Sequence, residues 1–359
     1  MTRRKIEKAF KRLTHLPGGS GLLQYSFNKV KAASLKISKS TLVAHPPTIM
    51  LEVTNKCNLK CITCPREHGF GKEMDKGFMP FEQLTKVVDQ CYPYIDSIGL
   101  TGLGETMLYP QLADAVRYIK SKSKGIITSI STNASMHQCV EKVEEMKGLI
   151  DTVQISIDGI GEVYDSIRIN GDFKYFISNV REIAKVTKGS GTHVTLNMVI
   201  VKENYHQMSE LVELAHEINI PFLNFTLYNL ASDTKNDISY YDFFTTPEFI
   251  TALKKAHETA SQYPNLEFTV WDHNTSAGFR KCHFPWTHFY ITWDGWLVPC
   301  CAKPFPKEMN FGNVFETSLM ECLNSKPYQE FRDMWFRNET PDFCKKCHFI
   351  ALNSFSLPN

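Results

Sequence analysis

The sequence predicts an α/β protein built on an open parallel sheet of six βα units, followed by a small cysteine-rich domain. Two observations predict this class. From Thr48 to about Tyr228, short β-rich runs alternate with amphipathic helical stretches, which implies parallel strands joined by right-handed crossovers. Between 282 and 347 the character changes to aromatics and turn residues, and six of the eleven cysteines fall there. Six units fall short of the eight that close a barrel. Functional residues are expected at the carboxyl ends of the strands, as in closed barrels.

Taken in order, residues 2–16 read as a basic amphipathic helix, with Ile6, Ala9, Phe10, Leu13 and Leu16 at helical spacing and Pro17-Gly18-Gly19 as the stop. A second segment, Leu22 to Ile37, mixes apolar residues with lysines. Residues 1–50 hold ten Lys or Arg and a single acid, Glu7, within a chain whose net charge is only +2. This leader is either a solvated cap on the barrel or a surface for an anionic partner or a membrane surface. Strands are expected over 48–53, 95–101, 126–131, 152–157, 193–200 and 222–228. Helices are expected over Phe81–Tyr92, Pro110–Lys122, Val140–Lys147, Tyr175–Val186, Tyr205–Ile218 and about Pro247–Tyr263. The expected division is therefore a basic segment over 1–47, a barrel over 48–270 and a cysteine-rich domain over 271–359.

No apolar run approaches the roughly 18 residues of a membrane span. No apolar h-region follows the charged start Met1-Thr2-Arg3-Arg4-Lys5, so a cytoplasmic location is expected and disulfides are not. The cysteines then read as metal ligands. Cys57, Cys61 and Cys64 stand at C-x3-C-x2-C just after the first strand, where a short loop can turn three thiolates toward one point. A zinc knuckle using His68 is the alternative reading.

The spacing Cys57-Asn58-Leu59-Lys60-Cys61-Ile62-Thr63-Cys64 at the end of a first strand resembles the radical S-adenosylmethionine (SAM) superfamily. That fold is an open, partial (β/α)6 barrel, in agreement with the alternation. The resemblance implies a four-iron (4Fe-4S) cluster on these three cysteines, with one iron left for SAM. Gly102-Leu103-Gly104-Glu105, at the end of the second strand, resembles the family's GGE element, which grips the amino group of the SAM methionine. Gly102 and Gly104 would let the backbone come close, and Glu105 would hold the ammonium. By the same resemblance Asn133 and Ser156, at later strand ends, are SAM contacts. Asp158 is a contact or a turn residue, and Arg168, in Tyr164-Asp165-Ser166-Ile167-Arg168, pairs with the SAM carboxylate, a substrate anion or a surface acid. Thr63 departs from the family, which often has an aromatic residue there to pack on the adenine; Phe70 and Tyr228 are the candidates to replace it.

Cys282-x12-Gly295-x4-Cys300 and Cys344-x2-Cys347 resemble the start of a SPASM domain, with Trp293-Asp294-Gly295-Trp296 as a hairpin signal. No cysteine follows Cys347, which resembles a shortened, twitch-type version. Cys282, Cys300, Cys344 and Cys347 would hold one auxiliary four-iron cluster, with a structural zinc as the alternative. Cys301 could exchange with Cys300. Cys91 and Cys322 are expected in the core.

The resemblance implies that the enzyme cleaves SAM reductively and abstracts hydrogen from a C–H bond through a 5′-deoxyadenosyl radical. An electron donor such as flavodoxin or ferredoxin would serve it. Peptide-modifying members often carry a further peptide-binding domain ahead of the barrel, and residues 1–47 are too short and basic for an ordinary one. The expected substrate is therefore a small molecule (a sugar, nucleotide or glycolipid) and the outcome oxidation. Peptide maturation and carbohydrate epimerisation are the alternatives, the last with Cys139 or Cys301 as hydrogen donor. No nucleic-acid partner is expected, although an iron–sulfur or zinc nucleic-acid-binding module is the non-enzyme reading.

Overall fold

The computed structural model describes residues 3–270 and 282–351. All six expected strands form: β1 (Thr48–Leu51), β3 (Ser97–Leu100), β4 (Ile127–Thr132), β5 (Thr152–Ser156), β7 (His193–Ile200) and β8 (Phe222–Leu227). Five more accompany them: β2 (Lys60–Cys61), β6 (Arg168–Ile169), β9 (Glu267–Val270), β10 (Phe289–Ile291) and β11 (Leu297–Val298). The fold class is the expected one, a mostly parallel α/β sheet with flanking helices.

The chain folds as two compact units. The first comprises the described residues of 1–56, 74–130 and 277–342. It begins with two helices, α1 (Arg3–Thr14) and α2 (Ser20–Ile37). Its strands run in the order β11–β10–β1–β3–β4, all parallel except the β10–β11 hairpin. Ile49, Leu51, Ile98 and Leu100 have no solvent exposure. Helix α4 (Phe81–Cys91) buries Leu84, Val87, Val88 and Cys91, an i, i+3, i+4, i+7 stripe, and α5 (Leu112–Lys122) buries Leu112, Ala115, Val116 and Ile119. Cys91 and Cys322 are core residues, as expected.

The expected turn at Asp294-Gly295 closes the β10–β11 hairpin, with Gly295 at φ +92°. Less expected is its neighbour. Strand β10 lies parallel to β1, pairing Ile49 with Phe289 and Leu51 with Ile291. Glu52, with no exposure, fastens this arrangement. Its Oε2 accepts hydrogen bonds from Tyr290 Oη at 2.5 Å and from Leu103 N at 2.9 Å. One carboxylate thus ties the first strand to both the hairpin and the turn after β3.

The second unit comprises the described residues of 57–73, 131–276 and 343–359. Its strands β5–β7–β8–β9 are all parallel. After the short α3 (Gly69–Lys72), their crossovers and flanks are α6 (Cys139–Met146), α7 (Glu162–Ile167), α8 (Phe173–Thr187), α9 (Met208–Glu217) and α10 (Pro247–Ser261). Local chemistry sets the helix starts. Asp172 accepts from Tyr175 N to cap α8, and Thr246 accepts from Phe249 N to cap α10, with Pro247 in the first turn. Among the described residues no helix is long and apolar enough to cross a membrane.

Burial raises the Glu52 carboxyl above its ordinary value, against the hydrogen bonds from Tyr290 and Leu103. A carboxyl whose pKa is raised in the folded state contributes its stability below the unfolded value of 4.5 and loses it as pH climbs through the folded value. Glu52→Gln removes that loss. The melting temperature of Glu52→Gln minus that of wild type is therefore expected to grow from pH 5 to pH 8. A difference that stays constant or shrinks counts against a buried, proton-retaining Glu52.

Candidate functional site

In the second unit the three-cysteine loop has little regular structure, so its shape comes from what holds it. Strand β2 pairs antiparallel with β6, which sets Cys61 opposite Arg168. Arg66, nearly fully buried, donates to Leu59 O inside the loop and to Glu67 Oε1 at 2.9 Å. His68 Nε2 lies 3.0 Å from Ile62 O, and its Nδ1 lies 3.7 Å from Asp233 Oδ1. Both ring nitrogens are therefore directed at groups other than the cysteines, which removes the zinc-knuckle reading of His68.

The three sulfurs are electrostatic neighbours: Cys57 and Cys64 both act on Cys61, and Cys57 acts on Cys64. Burial pushes the Cys61 thiol up to about 12, with Arg168 opposing, and pushes the Cys64 thiol up to about 11. Such thiols stay protonated in an unligated pocket; coordination to a metal deprotonates them outright. Donors already face the sulfurs. Leu59 N is 3.4 Å and Asn133 Nδ2 3.6 Å from Cys57 Sγ, and Arg168 Nη1 is 4.0 Å from Cys61 Sγ. Among the described residues no three Cys, His, Asp or Glu side chains converge on a point fit for a single ion. With both His68 nitrogens directed elsewhere the donor set here is three thiolates, soft ligands that suit an iron–sulfur cluster.

Asn133, at the end of β4, also donates to Asn58 Oδ1 at 2.8 Å and accepts from Ser135 N at 2.9 Å. Its side chain braces the loop. Asp158 and Arg168 form a buried ion pair, Oδ2 to Nη2 at 2.7 Å, while Asp158 Oδ1 accepts from Val199 N at 2.9 Å. Burial alone would lower the Arg168 pKa, yet Asp158 and Cys61 outweigh it and the net shift is upward, so the guanidinium stays charged beside the cysteines. Phe70 is exposed, and Tyr228 commits its hydroxyl to Asp233 Oδ2 at 2.9 Å.

Ser156 belongs to a feature that the sequence reading missed. Ser156, Asn197, Asn224 and Thr269 pair successively across β5, β7, β8 and β9, forming one row in register. Asn224 Nδ2 donates to Asn197 Oδ1 at 2.7 Å, and Thr269 Oγ1 donates to Asn224 Oδ1 at 2.9 Å. Gln154 and Thr226 join the same half-buried face. The signal was present: Val-Gln-Ile-Ser, Leu-Asn-Met and Leu-Asn-Phe-Thr place a polar residue at every second position. A cleft of about 570 Å³ lined by Arg181, His193, Glu217 and Phe222 lies at the opposite, amino ends of β7 and β8.

Also in this unit, Cys347 N donates to Cys344 O at 2.9 Å, and Asn229 Nδ2 lies 3.6 Å from Cys347 Sγ. Cys139 opens α6 with no solvent exposure, its Sγ 3.6 Å from Ala134 O.

In the first unit, the turn after β3 sits directly on the strand-end segment that precedes Cys57. A side chain at Gly104 would strike Thr54 O and Lys56 O, and one at Gly102 would strike Glu52. Glu105 N donates to Lys56 O at 2.8 Å, and its nearly buried carboxylate accepts from Met107 N at 2.9 Å. Cys300 and Cys282 both lie close enough to Tyr328 to act on its hydroxyl. Burial raises the Cys300 thiol, while the amides of Ala302 and Lys303 donate to its sulfur and favour the thiolate. Cys301 is exposed. The pair Cys300–Cys301 therefore splits into one sulfur in an amide nest and one at the surface.

Comparisons with known proteins agree with this chemistry. The model of the Radical SAM superfamily matches residues 51–215, and that of the SPASM iron–sulfur cluster-binding domain matches 282–348. A tungsten-containing aldehyde ferredoxin oxidoreductase cofactor-modifying protein of Pyrococcus furiosus is 27% identical, covering 83% of this chain and 86% of the relative. The antilisterial bacteriocin subtilosin biosynthesis protein AlbA of Bacillus subtilis is 22% identical, covering 91% and 72%. Among solved structures, Streptococcus suis SuiB bound to the precursor peptide SuiA shares the fold with a TM-score of 0.65 at 19% identity, covering 89% of this chain and 73% of SuiB. SAM and four-iron clusters are accordingly its cofactors. The chain carries a radical SAM domain over residues 51–215 and a SPASM domain over 282–348.

Proposed function

We propose that this chain is a radical SAM enzyme that modifies a peptide. Cys57, Cys61 and Cys64 hold the SAM-binding cluster, and Cys282, Cys300, Cys344 and Cys347 hold an auxiliary one. Gly102, Gly104 and Glu105 receive the methionine amino group. When bound, the cluster and SAM together supply reductive cleavage to a 5′-deoxyadenosyl radical. The chain's own residues bind, orient and exclude water. Asn133 and Arg168 brace the cysteine loop, Asp158 keeps Arg168 aimed at it, and Ser156 presents its hydroxyl on the polar row.

The observation that carries the reading is the row Ser156–Asn197–Asn224–Thr269, flanked by Gln154 and Thr226. Amide and hydroxyl groups on one open face can pair with the successive N–H and C=O groups of an extended peptide. The preference for a small molecule rested on the short segment 1–47. The bacteriocin biosynthesis relative and the peptide-bound SuiB favour the peptide instead. A small-molecule cofactor is the second reading, favoured by the cofactor-modifying relative. Net oxidation is the outcome proposed; of the two hydrogen-donor candidates for epimerisation Cys139 has no exposure, which leaves the exposed Cys301 as the one an epimerase would use. A flavodoxin or ferredoxin is the class of electron donor such an enzyme takes.

Anaerobic reconstitution is expected to give about eight irons per chain, the sum of two four-iron clusters. Changing Cys57, Cys61 and Cys64 together to Ala should remove half the iron and all formation of 5′-deoxyadenosine under dithionite and SAM. Zinc at the second cysteine set would refute the auxiliary cluster. A peptide encoded beside the gene should accelerate 5′-deoxyadenosine formation and gain a mass change. Acceleration by nucleotides or sugars alone would favour the small-molecule reading.

The Arg168–Asp158 pair gives a separate expectation. Arg168→Gln leaves a buried carboxylate without its partner and should cost about 3–5 kcal/mol. The double variant Arg168→Gln/Asp158→Asn should recover much of that stability in denaturant melts yet still retain less cluster iron than wild type. Full recovery of iron in the double variant would show that Arg168 matters only as Asp158's counter-ion.

A further inference from the structure

The two N-terminal helices are amphipathic in the reverse sense, and this assigns them a task beyond catalysis. In a solvated cap the apolar stripe faces the protein and the charged face meets water. Here polar side chains make the attachment. Arg12 and Lys29 both pair with Asp96, and Tyr25 Oη donates to the same carboxylate at 3.1 Å. Asn28, nearly buried, donates to His45 O at 2.9 Å and accepts from His45 N at 3.0 Å. His15 O accepts from Ser123 Oγ at 3.0 Å.

The apolar residues are left outside. On α1 these are Ile6, Phe10 and Leu13, at i, i+4 and i+7. On α2 they are Leu23, Phe27, Val30 and Ile37, which a 100° turn per residue gathers into one stripe about 21 Å long. Exposure runs from 51% at Ile6 to 83% at Ile37. Elsewhere the large apolar side chains are largely buried, so exposure of this kind is concentrated here.

We propose that this face lies on an anionic lipid surface. Charge selects the occupant. Ten Lys or Arg against one acid in residues 1–50 would set two copies of the chain against each other, since each would bring the same positive field. A bilayer rich in anionic headgroups accepts both features together: its acyl boundary takes up the exposed Phe, Leu, Ile and Val side chains, and its headgroups attract the exposed cations of the same segment, Lys31 at the edge of the stripe and Lys36 at the end of the helix. The pattern is that of a helix pair lying in the interface plane and not crossing it. Because polar contacts hold the helices to the rest of their unit, the apolar stripes can engage lipid without being pulled from a core.

The test is flotation of the full-length protein with vesicles of phosphatidylcholine containing about 30% phosphatidylglycerol, beside vesicles of phosphatidylcholine alone. Binding is expected to the first and not the second, and to weaken as salt is raised from about 0.1 M to about 0.5 M. The variant Phe10→Ser/Phe27→Ser/Val30→Ser should reduce the bound fraction about tenfold while keeping the wild-type melting temperature, since none of the three side chains is packed. Lys31→Glu/Lys36→Glu should do the same from the charge side. Equal binding to both vesicle types, or binding indifferent to both variants, would overturn the proposal. So would a concentration-dependent dimer that the triple serine variant abolishes, because the stripe would then be covered by a second copy.

Discussion

Three thiols must converge on a loop that has almost no backbone ladder of its own, and much of the second unit serves that constraint. Among the described residues a single two-residue ladder, Cys61 opposite Arg168, is the only strand pairing that reaches the loop. Short local turns close the loop's own backbone, and side chains do the rest: Arg66 donates to Leu59 O, His68 meets Ile62 O, and Asn133 donates to the side chain of Asn58. The Arg66 bond is buried and would be costly to leave unmade, while the His68 and Asn133 bonds are half-buried. The Asp158–Arg168 pair follows the same logic. It keeps a full positive charge beside the Cys61 sulfur, where it favours the thiolate, and Asp158 prevents that charge from standing alone.

The same economy explains the polar row. In closed eight-stranded barrels the interior is filled by branched aliphatic side chains and is a packed core. Here the positions facing that way carry Ser, Asn, Gln and Thr, while their neighbours in sequence (Ile155, Leu196, Met198, Phe225) are fully buried on the opposite side. A sheet with one aliphatic face and one half-buried polar face has its core on the helix side only. Its other face is left for a ligand. The hydrogen bonds between Asn197, Asn224, Thr226 and Thr269 keep these groups satisfied and pre-aligned, so a ligand meets an ordered array.

What was legible in the sequence was what is local. Strand periodicity, helix caps and the Asp294-Gly295 turn are set by residues a few positions apart, and the six strands and the hairpin formed where they were expected. The cysteine loop was legible because metal ligation demands fixed spacing. What was not legible depends on partners distant in sequence. Nothing near Phe289 announces that it will pair with Ile49, and nothing near Glu52 announces Tyr290. The expectation that Asn133 is a ligand contact comes from its position at a strand end; its bond to Asn58, a bracing role beside that expectation, can only be seen in three dimensions. The polar row was half legible: alternation within each strand is in the sequence, but register between strands is not.

Glu52 shows how an unread residue can matter more than a read one. The Gly102–Glu105 turn was recognisable, yet nothing in its own sequence holds it against the strand end. The glycines permit the approach; Glu52 draws it in by accepting from Leu103 N, and Glu105 N closes it onto Lys56 O. Lys56 is the residue before Cys57, so the Gly102–Glu105 turn is fastened to the chain one peptide bond ahead of the cysteine loop. Tyr290, on the strand that leads into the SPASM hairpin, donates to the same carboxylate oxygen. A single buried acid just past the end of β1 therefore holds both the turn after β3 and the hairpin that leads to Cys300. Its place at that strand end lets one hydrogen-bond centre align groups drawn from three distant parts of the chain.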